Sequence, residues 1–131
     1  MQRALILFAH GARDPEWARP VQSVAQRLRQ LLPDVPVSVA FLEFMTPSLE
    51  EAIGAICAAH GPQQLAIDIL PFFIAQGGHL REDVPRLLEA AVQRHEGIQL
   101  RLLPALGELP AVQSAMALAI SQLLDGVADQ E

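Results

Sequence analysis

The chain has no lysine and only one cysteine among its 131 residues. Without lysine it cannot form a Schiff base with a carbonyl substrate or build a lysine-dependent phosphate loop. The single Cys57 rules out an intrachain disulfide and a multi-cysteine metal site. Because Cys57 lies among apolar residues of a helical pattern, we expect a buried, unreactive thiol. No G-x-G-x-x-G motif occurs to indicate a dinucleotide-binding fold.

Positive charge is also scarce, since the chain has nine arginines and 15 acidic residues and its net charge is −6. The arginines are scattered, which argues against a nucleic-acid partner. No apolar run approaches the roughly 18 residues of a membrane span, and the first residues lead into a strand rather than a signal sequence. We therefore expect a cytoplasmic protein, and its length predicts a single domain over residues 1–131.

Short apolar runs alternate with segments of helical period along the chain. The runs cover residues 4–9, 37–42, 65–70 and 98–103, each of a length typical of strands. The intervening segments carry apolar residues near the 3.6-residue period, including Val112, Met116, Ala119, Ile120 and Leu123 in the last of them. Prolines 15, 47, 85 and 110 stand near the predicted helix starts, and Asp14 and Thr46 are natural N-caps. The predicted element order is βαβαβαβα.

This order predicts an α/β three-layer sandwich with a flavodoxin-like arrangement. Strands joined by right-handed helical crossovers form a parallel sheet, and the favoured strand order is 2-1-3-4. Such a sheet has a switch point between strands 1 and 3, and ligands bind beyond the carboxyl ends of the strands there. The sequence therefore places a candidate site at that edge of the sheet.

Three polar residues are expected at this edge. His10 follows strand 1, Glu43 follows strand 2, and His79 ends a loop that follows strand 3. Each histidine taken alone is as readily explained by a hydrogen bond to the backbone. Together they indicate a metal site, because imidazole binds Co, Ni, Fe and Zn and two nitrogens leave coordination positions open.

Other polar residues have structural explanations. Asp68 and Arg101 each stand three residues before the proline that follows their strand, so they should be cross-strand neighbours in an ion pair. His60 and His95 fall near predicted helix C-termini, where a cation interacts favourably with the helix dipole.

Three motifs, HGARDP from His10, LEFMTPSLEEA from Leu42 and PFFIAQGGHLREDVP from Pro71, resemble those of the small CbiX-type sirohydrochlorin chelatases. The similarity extends in order over almost the whole chain. By this resemblance the fold is the chelatase-like parallel sheet, and the reaction is insertion of a divalent metal into sirohydrochlorin in cobalamin or siroheme biosynthesis. His10 and His79 then match the metal-binding catalytic histidines, and Glu43 matches an acidic residue of the active-site rim.

Metal insertion requires a ligand that presents the ion and a base that removes two pyrrole protons. His10 and His79 fill these roles, with Glu43 assisting proton removal. We assign substrate binding to Arg13, Arg81, Phe72, Gly77 and Gly78, the two arginines through contacts with substrate carboxylates. The alternative for Arg13 is an ion pair with Asp14 or Glu16, and for Arg81 one with Glu82 or Asp83.

No tightly bound cofactor is expected, since the divalent metal is a substrate, with cobalt the first candidate and iron or nickel the others. We expect a homodimer, because one small domain offers a single wall to a large flat macrocycle. The predicted interface residues are Phe44, Met45, Phe72, Phe73 and Ile74. Two alternatives remain open from the sequence, a metal or tetrapyrrole carrier without turnover and a flavodoxin-like domain for an unrelated small molecule.

Overall fold

The computed structural model describes residues 2–61, 64–75 and 77–130, and describes His79 and residues 127–130 by their backbone alone. The strands are β1 (Gln2–Ala9), β2 (Val37–Phe41), β3 (Leu65–Pro71) and β4 (Ile98–Leu102). The helices are α1 (Arg19–Leu31), α2 (Leu49–His60), α3 (Gly78–Arg94) and α4 (Pro110–Gln130). Two short 3-10 helices, Pro15–Ala18 and Leu106–Glu108, precede α1 and α4.

All four strands are parallel and their order is β2-β1-β3-β4, as the sequence predicts. Leu5 of β1 is in register with Val37 of β2 on one side and with Asp68 of β3 on the other. The chain thus adds β2 on one side of β1 and then β3 and β4 on the other side. This change of side creates the expected switch point at the carboxyl ends of β1 and β3.

The core lies on both faces of the sheet. One face presents Ile6, Phe8, Ile67 and Ile69 to the buried residues of α2 and α3. The other face presents residues such as Leu7 and Phe41 to the buried stripe of α1. Apolar side chains on both faces of the central strands explain their nearly continuous apolar sequences. The predicted three-layer arrangement is confirmed.

The helix starts differ from the sequence prediction in two places. Asp14 caps the first 3-10 helix as expected, accepting from the Glu16 N–H at 3.0 Å. The cap of α2 is Ser48 rather than Thr46, because Ser48 and Glu51 form a reciprocal capping box. Helix α3 begins well before Pro85, so this proline lies inside the helix and not at its start.

The predicted cross-strand ion pair is confirmed. Arg101 Nε and Nη2 each donate to a carboxylate oxygen of Asp68 at 2.9 Å, and Arg3 Nη2 donates at 2.7 Å. These bonds hold the pKa of Asp68 below its ordinary value, and the contact with Arg101 is the main cause. The cluster lies within β1, β3 and β4, away from the carboxyl edge of the sheet, which supports its structural role.

Helix α4 does not pack as its apolar stripe predicts. Ile120 is 65% exposed and Leu123 70% exposed, whereas both were expected in the core. The contacts of α4 within the chain are concentrated on the second 3-10 helix, so most of the helix projects from the domain. Hydrophobic periodicity indicates that a helix face is buried, but it does not specify the surface that buries it. Within the described residues, no helix is long and apolar enough to cross a membrane.

Candidate active site

His10 is the first residue after β1, and the backbone around it is tightly constrained. The Leu42 N–H donates to the Ala9 carbonyl at 2.9 Å, and the Glu43 N–H donates to the His10 carbonyl at 3.1 Å. Gly11 follows with a positive φ of 81°. A side chain at Gly11 would collide with the Glu43 carbonyl oxygen, so only glycine allows this close approach of the two chain segments.

A buried aromatic ring supports the imidazole of His10. The rings of His10 and Phe73 are 4.2 Å apart between centroids, with an interplanar angle of 34°. Phe73 is only 6% exposed and packs in turn on Phe8, with ring centroids 6.0 Å apart. The imidazole itself is exposed. His10 therefore has a rigid support within the core and remains accessible to a ligand.

His10 lies at a cavity of about 530 Å³ with mainly apolar walls. Its volume falls within the range of roughly 300–1,000 Å³ that is typical of small-molecule sites. The walls come from the end of β1, the first 3-10 helix, the start of α1, the residues after β3, the second 3-10 helix and the first turns of α4. They include Trp17, Pro20, Phe72, Ile74, Leu106, Val112 and Met116. An imidazole among apolar walls suits a ligand that is itself largely flat and apolar.

Backbone hydrogen bonds fix the wall formed by residues 72–75. The Phe72 N–H donates to the Phe8 carbonyl at 2.7 Å, and the Gly107 N–H donates to the Phe73 carbonyl at 2.9 Å. Gln113 Nε2 of α4 donates to the Gly107 carbonyl at 3.1 Å. A side chain at Gly107 would collide with the Ile74 backbone. The wall is thus anchored to β1 on one side and to the base of α4 on the other.

Of the other predicted catalytic residues, Glu43 has a described side chain, and it does not line the cavity. Glu43 is exposed and is joined to His10 through the backbone hydrogen bond. His79 was expected in a loop, yet its backbone lies in the first turn of α3. The side chain of His79 is outside the described structure, so its role stays a prediction. Gly77 is the N-cap of α3 and Gly78 is its first residue, and both are exposed.

Arg13 contacts Phe44 rather than Asp14 or Glu16. Its guanidinium carbon lies 5.1 Å from the centroid of the Phe44 ring, within the range of a cation–π contact. Asp14 is engaged in its capping bond, and Glu16 accepts from Arg19 Nη2 at 2.9 Å. The guanidinium of Arg13 is therefore placed on an exposed aromatic ring at the rim of the sheet.

Arg81 also differs from its expected alternative. Its Nη2 is 4.0 Å from Glu108 Oε1 in the second 3-10 helix, rather than being paired with Glu82 or Asp83. Both side chains of this contact are largely exposed. The role of Arg81 in binding substrate stays a prediction.

In the part of the chain that the structure describes, no group of three or more His, Cys, Asp or Glu side chains converges on a possible metal position. Cys57 packs partly buried against the core, and burial raises the pKa of its thiol. This environment agrees with the prediction of an unreactive cysteine. Of the two predicted histidine ligands, His10 is the one whose side chain the structure describes.

Sequence reasoning missed most of the cavity walls. Trp17, the only tryptophan, is 73% exposed and follows the Asp14 cap at the carboxyl edge of the sheet. That position, a large aromatic residue next to the switch point, is a signal that could have identified it. Gly107 and Met116 come from the segment after β4, where the sequence shows no polar motif. Their contribution depends on tertiary packing that the sequence pattern does not reveal.

Residues 4–123 match the CbiX family. The chain belongs to the CbiX family. Among curated relatives, it is 34% identical to the sirohydrochlorin cobaltochelatase of Methanothermobacter thermautotrophicus over 84 residues, which are 64% of this chain and 56% of that protein. It is also 34% identical to the sirohydrochlorin cobaltochelatase of Saccharolobus solfataricus, over 64% of this chain and 62% of that protein. The matched segment thus spans less than two thirds of these relatives.

Solved structures of the family have the same fold. A CbiX protein of cobalamin biosynthesis from Marinobacter aquaeolei VT8 superposes with a TM-score of 0.75 and 26% identity, covering 98% of this chain and 99% of that chain. The sirohydrochlorin chelatase SirB of Bacillus subtilis, in complex with cobalt, has a TM-score of 0.64 at 22% identity. It covers 81% of this chain and 44% of that chain, and shows likeness of fold alone. The chelatase-like fold and the family predicted from the motifs are confirmed.

Proposed function

We propose that this protein is a sirohydrochlorin chelatase that inserts a divalent metal, with cobalt the first candidate, into the tetrapyrrole. Membership of the CbiX family supports the reaction class. The single structural observation that carries the proposal is the exposed His10 imidazole, supported by Phe73 at an apolar cavity of about 530 Å³. A ligand nitrogen and a surface for a flat macrocycle are the two things that metal insertion needs in one place.

The metal ion, as substrate, would be presented by His10 and His79. Neutral imidazoles are good ligands for Co, Fe and Ni, and a pair of them leaves coordination positions free for the pyrrole nitrogens. His79 follows the carboxyl end of β3, the strand adjacent to β1 at the switch point. The backbone position of His79 in the first turn of α3, after β3, supports its proposed role beside His10.

The macrocycle would lie in the cavity against the apolar wall made by Phe72, Trp17 and Met116. Its carboxylates need positive charge, which an acidic protein of net charge −6 must supply locally. Arg13 at the rim and Arg81 in α3 are the proposed carboxylate ligands, since a guanidinium binds a carboxylate through two parallel hydrogen bonds. The separation of apolar walls from rim arginines matches a substrate with an apolar ring and a charged periphery.

Removal of the pyrrole protons would involve the histidines, with Glu43 as the assisting base. Glu43 is exposed to solvent and is tied to His10 through the backbone. A carboxylate in this position can take a proton from the substrate region and release it to water. A positioned proton acceptor typically contributes about 100-fold to 10,000-fold to the rate.

We further propose that the protein works in the cytoplasm as a homodimer. The cavity of one domain covers one side of a macrocycle, and an identical copy would cover the other. Of the interface residues predicted from the sequence, Phe44 and Ile74 are exposed, whereas Phe73 is buried under His10 and is wrong as an interface residue.

The test is an absorbance time course with sirohydrochlorin and Co²⁺ at a protein concentration far below that of the substrate. The proposal predicts many turnovers above the non-enzymatic rate, which is measured without protein and subtracted. A stoichiometric burst followed by the background rate would indicate a carrier. Absence of any effect on the tetrapyrrole spectrum would indicate a domain for an unrelated ligand.

Three variants separate binding from proton transfer. His10→Ala and His79→Ala should each remove most of the insertion activity, because each removes a proposed metal ligand. Glu43→Gln should bind metal and tetrapyrrole but insert slowly, because the amide keeps the shape of the side chain and loses the base. Wild-type rates in all three variants would show that the assigned site is wrong.

A further inference from the structure

Phe44 adopts a backbone conformation that large residues avoid. Its φ is 67°, and in the described part of the chain no other residue except glycine has a positive φ. This left-handed region is disfavoured for residues with a side chain, at a cost that corresponds to about 5-fold to 30-fold in the folding equilibrium. Strain of this kind persists only where the surrounding structure imposes it, and it is concentrated at functional sites. The conformation of Phe44 therefore points to a functional constraint on its loop.

The loop after β2, which carries Phe44, is fixed at both ends. At its start, the Glu43 N–H donates to the His10 carbonyl at 3.1 Å. At its end, the Pro47 carbonyl accepts from the Phe41 N–H at 2.9 Å. These bonds fix the loop relative to β1 and β2 and to the candidate metal ligand. Phe44 therefore holds a defined position at the same edge of the sheet as His10.

The ring of Phe44 stays at the surface although the next residue turns inward. Phe44 is 59% exposed, whereas Met45 is partly buried against the core between the sheet and α1. Burial of a phenylalanine side chain is favoured by the hydrophobic effect as strongly as burial of a methionine. Packing within the loop therefore does not explain why the aromatic ring is the side chain that remains outside.

The guanidinium of Arg13 lies over this exposed ring. Its Cζ is 5.1 Å from the ring centroid. In the part of the chain that the structure describes, Arg13 forms no ion pair, although Asp14 and Glu16 are close to it in sequence. Contact with an aromatic face restrains a guanidinium without using the N–H donors, which lie in its plane. Those donors can form two parallel hydrogen bonds with a carboxylate.

We propose that Phe44 is a positioning residue, whose ring holds the Arg13 guanidinium at the rim of the sheet in readiness for a carboxylate of the tetrapyrrole. The inference rests on the proposed function, in which Arg13 is a carboxylate ligand. A flexible side chain that must be immobilised on binding weakens affinity by about 2-fold to 12-fold. Contact with Phe44 restricts Arg13 before the substrate arrives, so less of this cost falls on the binding step.

The first test compares Phe44→Ala with Leu31→Ala in the insertion assay. Leu31 is also an exposed apolar residue, but it ends α1 at the opposite edge of the sheet. Phe44→Ala should raise KM for sirohydrochlorin about 2-fold to 12-fold with kcat unchanged, because it weakens binding without touching the reacting atoms. Leu31→Ala should alter neither constant. Phe44→Tyr keeps the aromatic face and should restore the wild-type KM.

The second test is a double-mutant cycle between Phe44 and Arg13. If the ring acts through the guanidinium, Phe44→Ala should raise KM no further in a protein that already carries Arg13→Ala. Additive effects would overturn the inference, because the ring would then act independently of Arg13. Light scattering of Phe44→Ala should give the wild-type mass. A fall in mass that accompanies the rise in KM would assign the ring to a subunit contact and would also overturn the inference.

Two further readouts need no metal. The Nε–Hε NMR signal of Arg13, identified by its loss in Arg13→Lys, should be shifted upfield by the Phe44 ring. It should move downfield in Phe44→Ala and stay in place in Leu31→Ala. Binding of metal-free sirohydrochlorin, followed by quenching of the Trp17 emission at the cavity, should weaken in Phe44→Ala by the same factor as KM.

The strained backbone gives a separate signature. Glycine adopts a positive φ without steric cost, so Phe44→Gly should unfold at a higher urea concentration than Phe44→Ala. It should nevertheless bind sirohydrochlorin as weakly as Phe44→Ala, because both variants lack the ring. This combination distinguishes loss of the ring from damage to the fold.

A wild-type KM in Phe44→Ala would overturn the inference, whatever the NMR signal of Arg13 shows. Insertion that proceeds normally with this unchanged KM would contradict the inference alone. Tetrapyrrole binding that depends on Phe44 and Arg13 as described, in a protein that inserts no metal, would contradict the proposed chelatase activity alone.

Discussion

The close contact at Gly11 gives the sharpest single test of the site architecture. Replacement by alanine forces a side chain into a backbone conformation with φ of 81°, which costs a non-glycine residue about 1–2 kcal/mol. The new Cβ also collides with the Glu43 carbonyl oxygen, and this clash with fixed backbone should cost a further 1–3 kcal/mol or so, as overpacking does. We expect Gly11→Ala to lower the free energy of unfolding by about 2–5 kcal/mol in total.

The matched control is Gly54→Ala in the middle of α2. No atom lies within 4 Å of the position that its Cβ would occupy, so the substitution meets no obstacle. Alanine in a helix interior is favoured over glycine by up to about 1 kcal/mol, and this variant should be slightly stabilised. The measurement is urea unfolding of both variants with the same probe, in which the denaturation midpoints should move in opposite directions.

The same variant tests the coupling between backbone and activity. Relief of the clash must separate the chain segments that carry His10 and Glu43, because the Glu43 N–H donates to the His10 carbonyl at 3.1 Å. Insertion activity measured well below the unfolding transition should therefore fall in Gly11→Ala and stay at the wild-type level in Gly54→Ala. A Gly11→Ala protein as stable and as active as Gly54→Ala would refute the close packing of the two strand ends.

Three further predictions concern stability and reactivity. Asp68→Asn should destabilise the protein by about 1–2 kcal/mol at pH 7 through the lost charged hydrogen bonds to Arg101. Because folding lowers the pKa of Asp68, this contribution is present above its unfolded value of about 3.9 and is lost as pH falls through the folded value, so the melting temperatures of variant and wild type should converge below about pH 4. Ser48→Ala should cost about 1 kcal/mol through loss of the α2 cap, measured by thermal unfolding; an unchanged transition would contradict the capping role. Cys57 should react slowly with a thiol reagent in the native state and rapidly in denaturant, because burial raises its pKa; equal rates would show that it is accessible.

Much of the fold follows from local sequence patterns. The strand prediction succeeds because the residues of β1 and β3 are apolar on both faces, which is typical of central parallel strands. The Asp68 and Arg101 pair was predictable because both residues stand at the same distance from the end of adjacent strands, and parallel register places them side by side. The strands could be predicted from the residue pattern within each strand, and the ion pair from the equal distance of its two residues from the ends of their strands.

The cavity walls required information of another kind. His10 was identified because a histidine after an apolar strand at a switch point is unusual, but the ring that supports it, Phe73, was predicted to be a surface residue. The difference arises because the Phe73 side chain points into the core after β3, while backbone hydrogen bonds from Phe72 to Phe8 and from Gly107 to Phe73 hold this segment in place. Gly107 follows the next strand, and no periodicity links it to residues 72–75.

The positions of the charged residues bear on the proposed transfer of a metal from this site to a tetrapyrrole. Among the predicted site residues whose side chains the structure describes, only His10 and Phe72 line the cavity, whereas Glu43 is exposed and the guanidinium of Arg13 lies on the Phe44 ring. A carboxylate inside an apolar cavity would bind a divalent cation strongly and oppose its release, since charges attract more strongly where water is excluded. Neutral imidazole binds the same ions without a full opposing charge. A site built from histidine, with its carboxylate kept in solvent, can therefore hold a metal long enough to present it and still lose it to four pyrrole nitrogens.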